Sequence, residues 1–172
     1  MTRLYEGKAI ENIVNKVASL IIDDNENLEE LVLIAIMNGG NDLAVRLAGR
    51  IKSERGLELP VGYLDITVYR DDIFSGKLIT VDPSDIQFSI DEKVVVLVDD
   101  VIKSGRSVRA ALDGLNGFGR PKAVRLAVLI DRGGRELPIE ADYVGKKIHA
   151  TKNSLVTVEL KEKYQDSWIE VA

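Results

Sequence analysis

Strand-length apolar runs constrain the fold of this chain more than any other feature of its sequence. The clearest of them occupy residues 31–36, 94–98 and 123–130. Such runs are typical of strands covered on both faces, as in parallel sheets. Apolar residues with helical spacing occupy residues 8–22, 41–53 and 107–117. The alternation predicts an α/β fold, with a mostly parallel sheet, flanking helices and right-handed crossovers.

Polar and glycine-containing segments follow two of the predicted strands. Because ligands of parallel sheets bind beyond the carboxyl ends of the strands, residues 37–40 and 99–107 are expected along one edge. Residues 61–69 look strand-like, whereas residues 70–90 have weak periodicity. A loop of that length in a compact domain is usually functional or mobile. No repeat, low-complexity tract or linker interrupts the chain, so a single domain spanning residues 1–172 is predicted.

Composition excludes several classes of site. The 172 residues contain no cysteine and one histidine, His149, which excludes disulfides, thiolate metal sites and sites that need two histidines. The net charge of −5 argues against a general nucleic-acid binder. No apolar stretch has the length of a membrane span, and the first residues lack a signal-peptide core. We therefore expect a cytoplasmic protein that does not enter the membrane.

The segment at residues 94–107 carries the chemistry. An apolar strand runs into Asp99 and Asp100, and a small-residue turn with Ser104, Gly105 and Ser107 opens the next helix. Such a turn offers backbone N–H groups and hydroxyls to a phosphate. Carboxylates instead accept hydrogen bonds from sugar hydroxyls and suit a nearby Mg²⁺. A phosphorylated ribose fits both halves, although a strand-to-helix turn with a simple polar cap remains the alternative.

This segment resembles the phosphoribosyl pyrophosphate (PRPP) motif of type I phosphoribosyltransferases. The resemblance implies that Asp99 and Asp100 contact the ribose hydroxyls. It also implies a turn for the 5′-phosphate, formed by Lys103, Ser104, Gly105, Arg106 and Ser107. Neither a Walker A loop nor a GxGxxG dinucleotide motif occurs in the chain.

Further segments resemble the PyrR group, which attenuates pyrimidine operons and acts as uracil phosphoribosyltransferase. They are residues 65–72, 119–121, 126–139 and 141–146. The resemblance implies transfer of phosphoribose from PRPP to uracil, giving UMP and pyrophosphate. It further implies the type I fold with a small hood, formed mainly by residues 131–172, and an N-terminal helix packed on the core. A homodimer is expected on the same ground.

The same resemblance assigns further roles. Arg70 and the loop after it would close over PRPP and act beside the acidic pair. Asp131, Arg132 and Gly133 would form the base pocket. Mg²⁺ would be held through the substrate near Asp99 and Asp100, without direct protein ligands.

Three features depart from the resemblance, and the first two concern the substrate site. The pyrophosphate loop consists of Met37, Asn38, Gly39 and Gly40. PyrR proteins usually have a Lys-Thr-Arg-Gly-like sequence there, and Asn-Gly-Gly is similar to hypoxanthine phosphoribosyltransferases. Lys103 stands where 6-oxopurine enzymes have an aspartate that faces the purine, which favours a pyrimidine. A phosphoribosyltransferase for a 6-oxopurine remains one alternative.

RNA binding is expected to be weak or absent. Gly134 and Glu140 replace residues that are typically histidine and often arginine in the PyrR group, and the loss of cations removes phosphate contacts. A nucleotide-sensing regulator with little catalysis is the other alternative.

Overall fold

The computed structural model describes residues 2–71 and 83–172. Within these residues the strands are β1 (Thr2–Glu6), β2 (Leu31–Ile36), β3 (Val61–Leu64), β4 (Val94–Ile102), β5 (Ala123–Asp131), β6 (Tyr143–Lys147), β7 (Val156–Glu159) and β8 (Trp168–Val171). The α-helices are α1 (Lys8–Asp24), α2 (Asn41–Arg55) and α3 (Arg106–Leu115). The main sheet has the order β3-β2-β4-β5-β6, and every neighbouring pair is parallel. The prediction of an α/β fold with a parallel sheet is confirmed.

Alternation along the central strands explains their unbroken apolar runs. Leu33 and Ala35 of β2 pack with helices α1 and α2, whereas Val32 and Ile34 pack on the opposite face with α3. Strand β4 follows the same rule, and all six residues of β2 are buried. Because both faces are covered, each side chain is removed from water whichever way it points.

The second predicted strand, at residues 61–69, is shorter than expected. Strand β3 ends at Leu64, and a 3-10 turn follows at Thr67–Tyr69. The Asp65 carboxylate causes this change, because its Oδ1 accepts hydrogen bonds from the Thr67 backbone N–H (2.7 Å) and from the Thr67 hydroxyl (2.5 Å). A short polar side chain that binds the backbone two residues later competes with the sheet.

A small antiparallel sheet with the order β1-β8-β7 forms the hood. Strands β7 and β8 come from the range predicted for the hood, residues 131–172. The third strand, β1, comes from the beginning of the chain, and β6 joins the parallel sheet although it lies in the predicted range. Helix α1 packs on the core through residues such as Ile10 and Val14. No helix in the described part of the chain is long and apolar enough to cross a membrane.

Candidate active site

Two loops meet at the carboxyl edge of the parallel sheet. The turn after β2 lies against the acidic pair of β4, and glycine makes the approach possible. A Cβ atom on Gly39 would lie 2.6 Å from Oδ1 of Asp100 and 2.9 Å from Oδ1 of Asp99. A Cβ atom on Gly40 would lie 2.0 Å from the backbone oxygen of Val98. Side chains other than hydrogen therefore do not fit here without displacing a neighbour.

The acidic pair is held by its own backbone. The backbone N–H of Asp100 donates to Oδ1 of Asp99 (3.0 Å), and the N–H of Val101 donates to Oδ1 of Asp100 (2.7 Å). Burial raises the pKa of Asp99 well above its usual range, and the neighbouring Asp100 charge adds to this effect. Burial also raises the pKa of Asp100. Two adjacent carboxylates in a partly dry site favour a ligand that donates hydrogen bonds or carries positive charge.

The predicted phosphate turn forms a small cradle at the start of α3. Gly105 has φ 91°, a left-handed conformation that glycine adopts without strain. The cradle encloses about 70 Å³. It is lined by Asp99, Val101, Ile102, Lys103, Ser104, Gly105, Ser107 and Val108. The first N–H groups of a helix lack partners within the helix, so they are available to an anion.

Arg106 contributes to this turn through its backbone. Its side chain forms ion pairs with Glu136 (2.8 Å) and Asp71 (2.9 Å). Its backbone N–H donates to the Ser104 hydroxyl (3.3 Å). The guanidinium is therefore engaged by carboxylates, and the predicted contact with the 5′-phosphate would come from the backbone.

A larger pocket of about 370 Å³ adjoins the cradle. Asp99, Val101 and Ser107 line both cavities. The structure thus brings together the acidic pair, the cradle, the Met37–Asn38–Gly39 turn and Arg70, as the sequence predicts. Arg70 lies close enough to oppose, through its charge, the rise in the pKa of Asp99. Residues 72–82, which include most of the loop predicted to close over PRPP, lie outside the described residues.

Several residues at this edge were missed by sequence reasoning. Asp65 and Thr67 line the larger pocket. Asp42 and Glu159 line a smaller pocket of about 170 Å³ with Gly39 and Asp100. The Asp65-x-Thr67 pattern, which is typical of a local turn, was the available signal. No local signal marks Glu159, because its position depends on how the hood folds over the sheet.

The residues predicted for the base pocket have separate surroundings. Asp131 pairs with Arg135 (2.7 Å) and accepts the N–H of Gly133 (3.0 Å). Burial would raise the pKa of Asp131, but the hydrogen bonds from Arg135 and Gly133 outweigh it, and the net pKa is lowered. Arg132 is 4% exposed and donates to the backbone oxygens of Thr151 (2.6 Å) and Ser154 (2.7 Å). Arg132, but not Asp131, lines a third pocket of about 420 Å³.

Comparison with known families identifies this arrangement. The family of the phosphoribosyl transferase domain matches residues 1–164, so the chain is a phosphoribosyltransferase, an enzyme of the pentosyltransferase class. Solved structures agree in fold. The chain superposes on a hypoxanthine phosphoribosyltransferase from Staphylococcus aureus with a TM-score of 0.73 and 23% identity, covering 98% of this chain and 89% of the other. It superposes on the corresponding enzyme of Trypanosoma cruzi with a TM-score of 0.73 and 21% identity, covering 99% and 95%.

Sequence relatives are more specific. The chain is 48% identical over 161 residues to the bifunctional protein PyrR of Pelotomaculum thermopropionicum, which covers 93% of this chain and 89% of the relative. It is 45% identical over 163 residues to the PyrR of Ligilactobacillus salivarius, with coverage of 93% and 92%. This chain belongs to the PyrR family of phosphoribosyltransferases.

Proposed function

We propose that this enzyme converts uracil and PRPP to UMP and pyrophosphate, using one phosphoribosyltransferase domain that spans residues 1–172. One observation carries the proposal: the acidic pair, with Asp99 buried and Asp100 half-buried, lies between the glycine turn at residues 37–40 and the phosphate cradle at residues 104–107. A ribose with phosphates on both sides matches this order of groups. Uracil as the acceptor rests on membership of the PyrR family and on Lys103.

In this proposal the chain mainly positions its substrates. Asp99 and Asp100 accept hydrogen bonds from the ribose hydroxyls. The cradle binds the 5′-phosphate through Ser104, Ser107 and backbone N–H groups. The Met37-to-Gly40 turn binds pyrophosphate through the backbone, and Arg70 supplies a cation beside it. Hydrogen-bond donors that are already held in place around the departing pyrophosphate lower the activation barrier, because they need not reorient as its charge develops.

Magnesium fits this site when it is bound through the substrate. Within the described residues, no group of three or more His, Cys, Asp or Glu side chains could hold a metal ion by itself. Asp99 and Asp100 are nevertheless adjacent and partly desolvated, and their carboxylate oxygens can hold the water molecules of a Mg²⁺ ion that the substrate binds. When bound, Mg²⁺ would neutralise charge on the pyrophosphate as it departs. The ion would also favour the ionised form of the acidic pair.

Pyrophosphate release tests the proposal. The purified protein would be incubated with PRPP and Mg²⁺, and with uracil, hypoxanthine, guanine, xanthine or no base in parallel reactions. Release with uracil, accompanied by UMP, is the expected result. Release with a purine alone would refute the pyrimidine assignment, because it would mean that the Asn-Gly-Gly loop indicates the base better than Lys103 does.

Regulation is the second candidate. The Met37-to-Gly40 turn contains no cationic side chain, which favours a protein that binds nucleotides and turns over slowly. UMP or PRPP binding without pyrophosphate release would support this candidate.

We also propose that RNA binding is weak; a filter-binding titration that finds tight, sequence-specific binding at physiological salt would overturn this. The homodimer and the cytoplasmic location stay predictions, and sedimentation would test the first.

A further inference from the structure

Arg70 lies between two residues that are attached to helix α3. On one side, the Tyr69 ring packs against the helix, where a Cβ atom on Gly114 would lie 3.2 Å from the Cε2 atom of the ring. On the other side, the Asp71 carboxylate forms ion pairs with residues of the same helix. Arg70 itself lines the larger pocket with the acidic pair. The segment is thus held to α3 on both sides of the residue that reaches the candidate active site.

The backbone conformation explains this division. At Arg70 the backbone is extended (φ −79°, ψ 133°), and successive side chains of an extended chain point to opposite sides. Because both neighbours of Arg70 contact α3, they favour an Arg70 side chain that is directed into the pocket. The guanidinium charge acts there on Asp99, where it opposes the rise in pKa that burial causes.

Two guanidinium groups hold Asp71. Its Oδ2 atom lies 2.9 Å from Nη1 of Arg106 and 3.5 Å from Nη1 of Arg109. Arg106 also pairs with Glu136 (2.8 Å), and the backbone N–H of Glu136 donates to the backbone oxygen of Ser104 (3.0 Å). Arg106 and Ser104 both belong to the turn predicted to bind the 5′-phosphate. The position of Asp71 is therefore fixed relative to that turn.

We propose that Asp71 is a positioning residue, which keeps Arg70 directed at the acidic pair and at a fixed distance from the phosphate cradle. This inference rests on the proposed uracil phosphoribosyltransferase activity and extends it. Asp71 does not touch the substrate. It acts through Arg70, whose cation stabilises the departing pyrophosphate. A neutral residue at position 71 loses both ion pairs, and Arg70 then spends part of its time in other rotamers.

The kinetics of Asp71→Asn test the proposal, because the substitution keeps the size of the side chain and removes its charge. The ion pairs lie at the surface, where each pair is weak, so we expect kcat/KM for PRPP to fall by about three- to fivefold. The KM for uracil at saturating PRPP and the unfolding temperature should stay at their wild-type values. A lower unfolding temperature with unchanged kinetics would make Asp71 a purely structural residue and would overturn the proposal.

Combining two substitutions tests whether Asp71 acts through Arg70. Arg70→Gln alone should lower kcat/KM for PRPP by more than Asp71→Asn does. In the Arg70→Gln protein, Asp71→Asn should change kcat/KM by less than about 1.5-fold, because the group that it positions is absent. The same loss in both backgrounds would show that Asp71 acts independently of Arg70, and the proposal would be wrong.

Asp113→Asn is the matched control. Asp113 also pairs with Arg109 (3.1 Å), and its side chain is 46% exposed, against 41% for Asp71. It lies near the end of α3, whereas the cradle lies at the start of the helix. Asp113→Asn should therefore leave kcat/KM for PRPP unchanged. An equal loss in the two variants would indicate a general effect of charge on α3 and would count against a specific role for Asp71.

The two proposals can fail separately. If the wild-type protein forms UMP and Asp71→Asn matches it in kcat/KM for PRPP, the positioning inference is wrong while the activity stands. If the wild-type protein forms no nucleotide from uracil, the proposed function itself is wrong, and the inference falls with it.

Discussion

Substitution by alanine should change the stability of the protein in opposite directions at two glycines, Gly40 just before helix α2 and Gly49 within it. Gly40 precedes helix α2, and its backbone is right-handed (φ −82°, ψ −14°), so alanine meets no torsional penalty there. The added Cβ, however, would lie 2.0 Å from the backbone oxygen of Val98 and 3.0 Å from the backbone nitrogen of Ile36. Both atoms belong to central strands of the sheet. Relief therefore requires the turn to move away from β4.

Overpacking of this kind costs about 1–3 kcal/mol. We expect the upper end, about 3 kcal/mol, because the obstructing atoms are backbone and cannot rotate away. For a domain of this size, 1 kcal/mol corresponds to about 2–4 °C. The Gly40→Ala protein should therefore unfold about 6–12 °C below wild type. Transfer activity should also fall, since the displaced turn lies beside the acidic pair.

Gly49→Ala is the matched control. Gly49 lies in the interior of the same helix, and a Cβ there would have no atom within 4 Å. Alanine should stabilise this position by about 0.5–1 kcal/mol, because it restricts the unfolded chain and favours the helix. Thermal unfolding of the two variants, followed by circular dichroism, makes the comparison. Equal unfolding temperatures for Gly40→Ala and Gly49→Ala would refute the close approach of the turn to β4.

Three further predictions concern titratable groups. Asp100→Asn should reduce transfer by at least about 100-fold with little change in unfolding temperature; near-normal turnover would contradict its role at the ribose. Asp99→Asn should raise the free energy of unfolding at neutral pH. Burial raises the folded-state pKa of Asp99, so the carboxyl lowers stability as the pH rises above its unfolded pKa. Denaturant titration at pH 4 and pH 7 should therefore show a larger decline in the wild type than in Asp99→Asn, which keeps only the buried carboxyl of Asp100. Burial and the hydrogen bond to Asp24 raise the pKa of Tyr143 to about 12. In an ultraviolet titration, the rise in tyrosinate absorbance near pH 12 should therefore be absent from Tyr143→Phe.

The parallel sheet and the motif loops could be predicted because their signals are local. The apolar run of β2 is six residues long, and all six are buried, so sequence and environment agree residue by residue. The acidic pair and the Ser104-to-Ser107 turn follow a buried strand, and strand order alone brings them to the edge where the glycine turn lies. For the same reason, the sequence predicts that residues 39 and 100 lie near each other at this edge. It does not predict how short the distance between them is.

The hood could not be predicted in detail, because its pairing is not local. Strand β1 is short and exposed along most of its length, and it lacks the apolar run that marks a core strand. Its partner β8 lies at the other end of the sequence. The ion pair of Asp131 with Arg135, four residues along the chain, was missed for a different reason. The resemblance assigned Asp131 to the base pocket, an assignment that stays a prediction, and it gave no partner for the carboxylate.

The pairing of β1 with β8 has a consequence for the order of folding. Thr2 lies opposite Val171, and Glu6 lies opposite Trp168. During synthesis β1 emerges before β8 exists, so we expect it to pair only after the strands of the central sheet have been made. The acidic pair and the cradle, which belong to the central sheet and α3, can thus form before β1 and β8 pair. Covalently linking those neighbouring ends, and opening the chain at an exposed loop elsewhere, should leave the sheet intact while changing which part of the enzyme folds last.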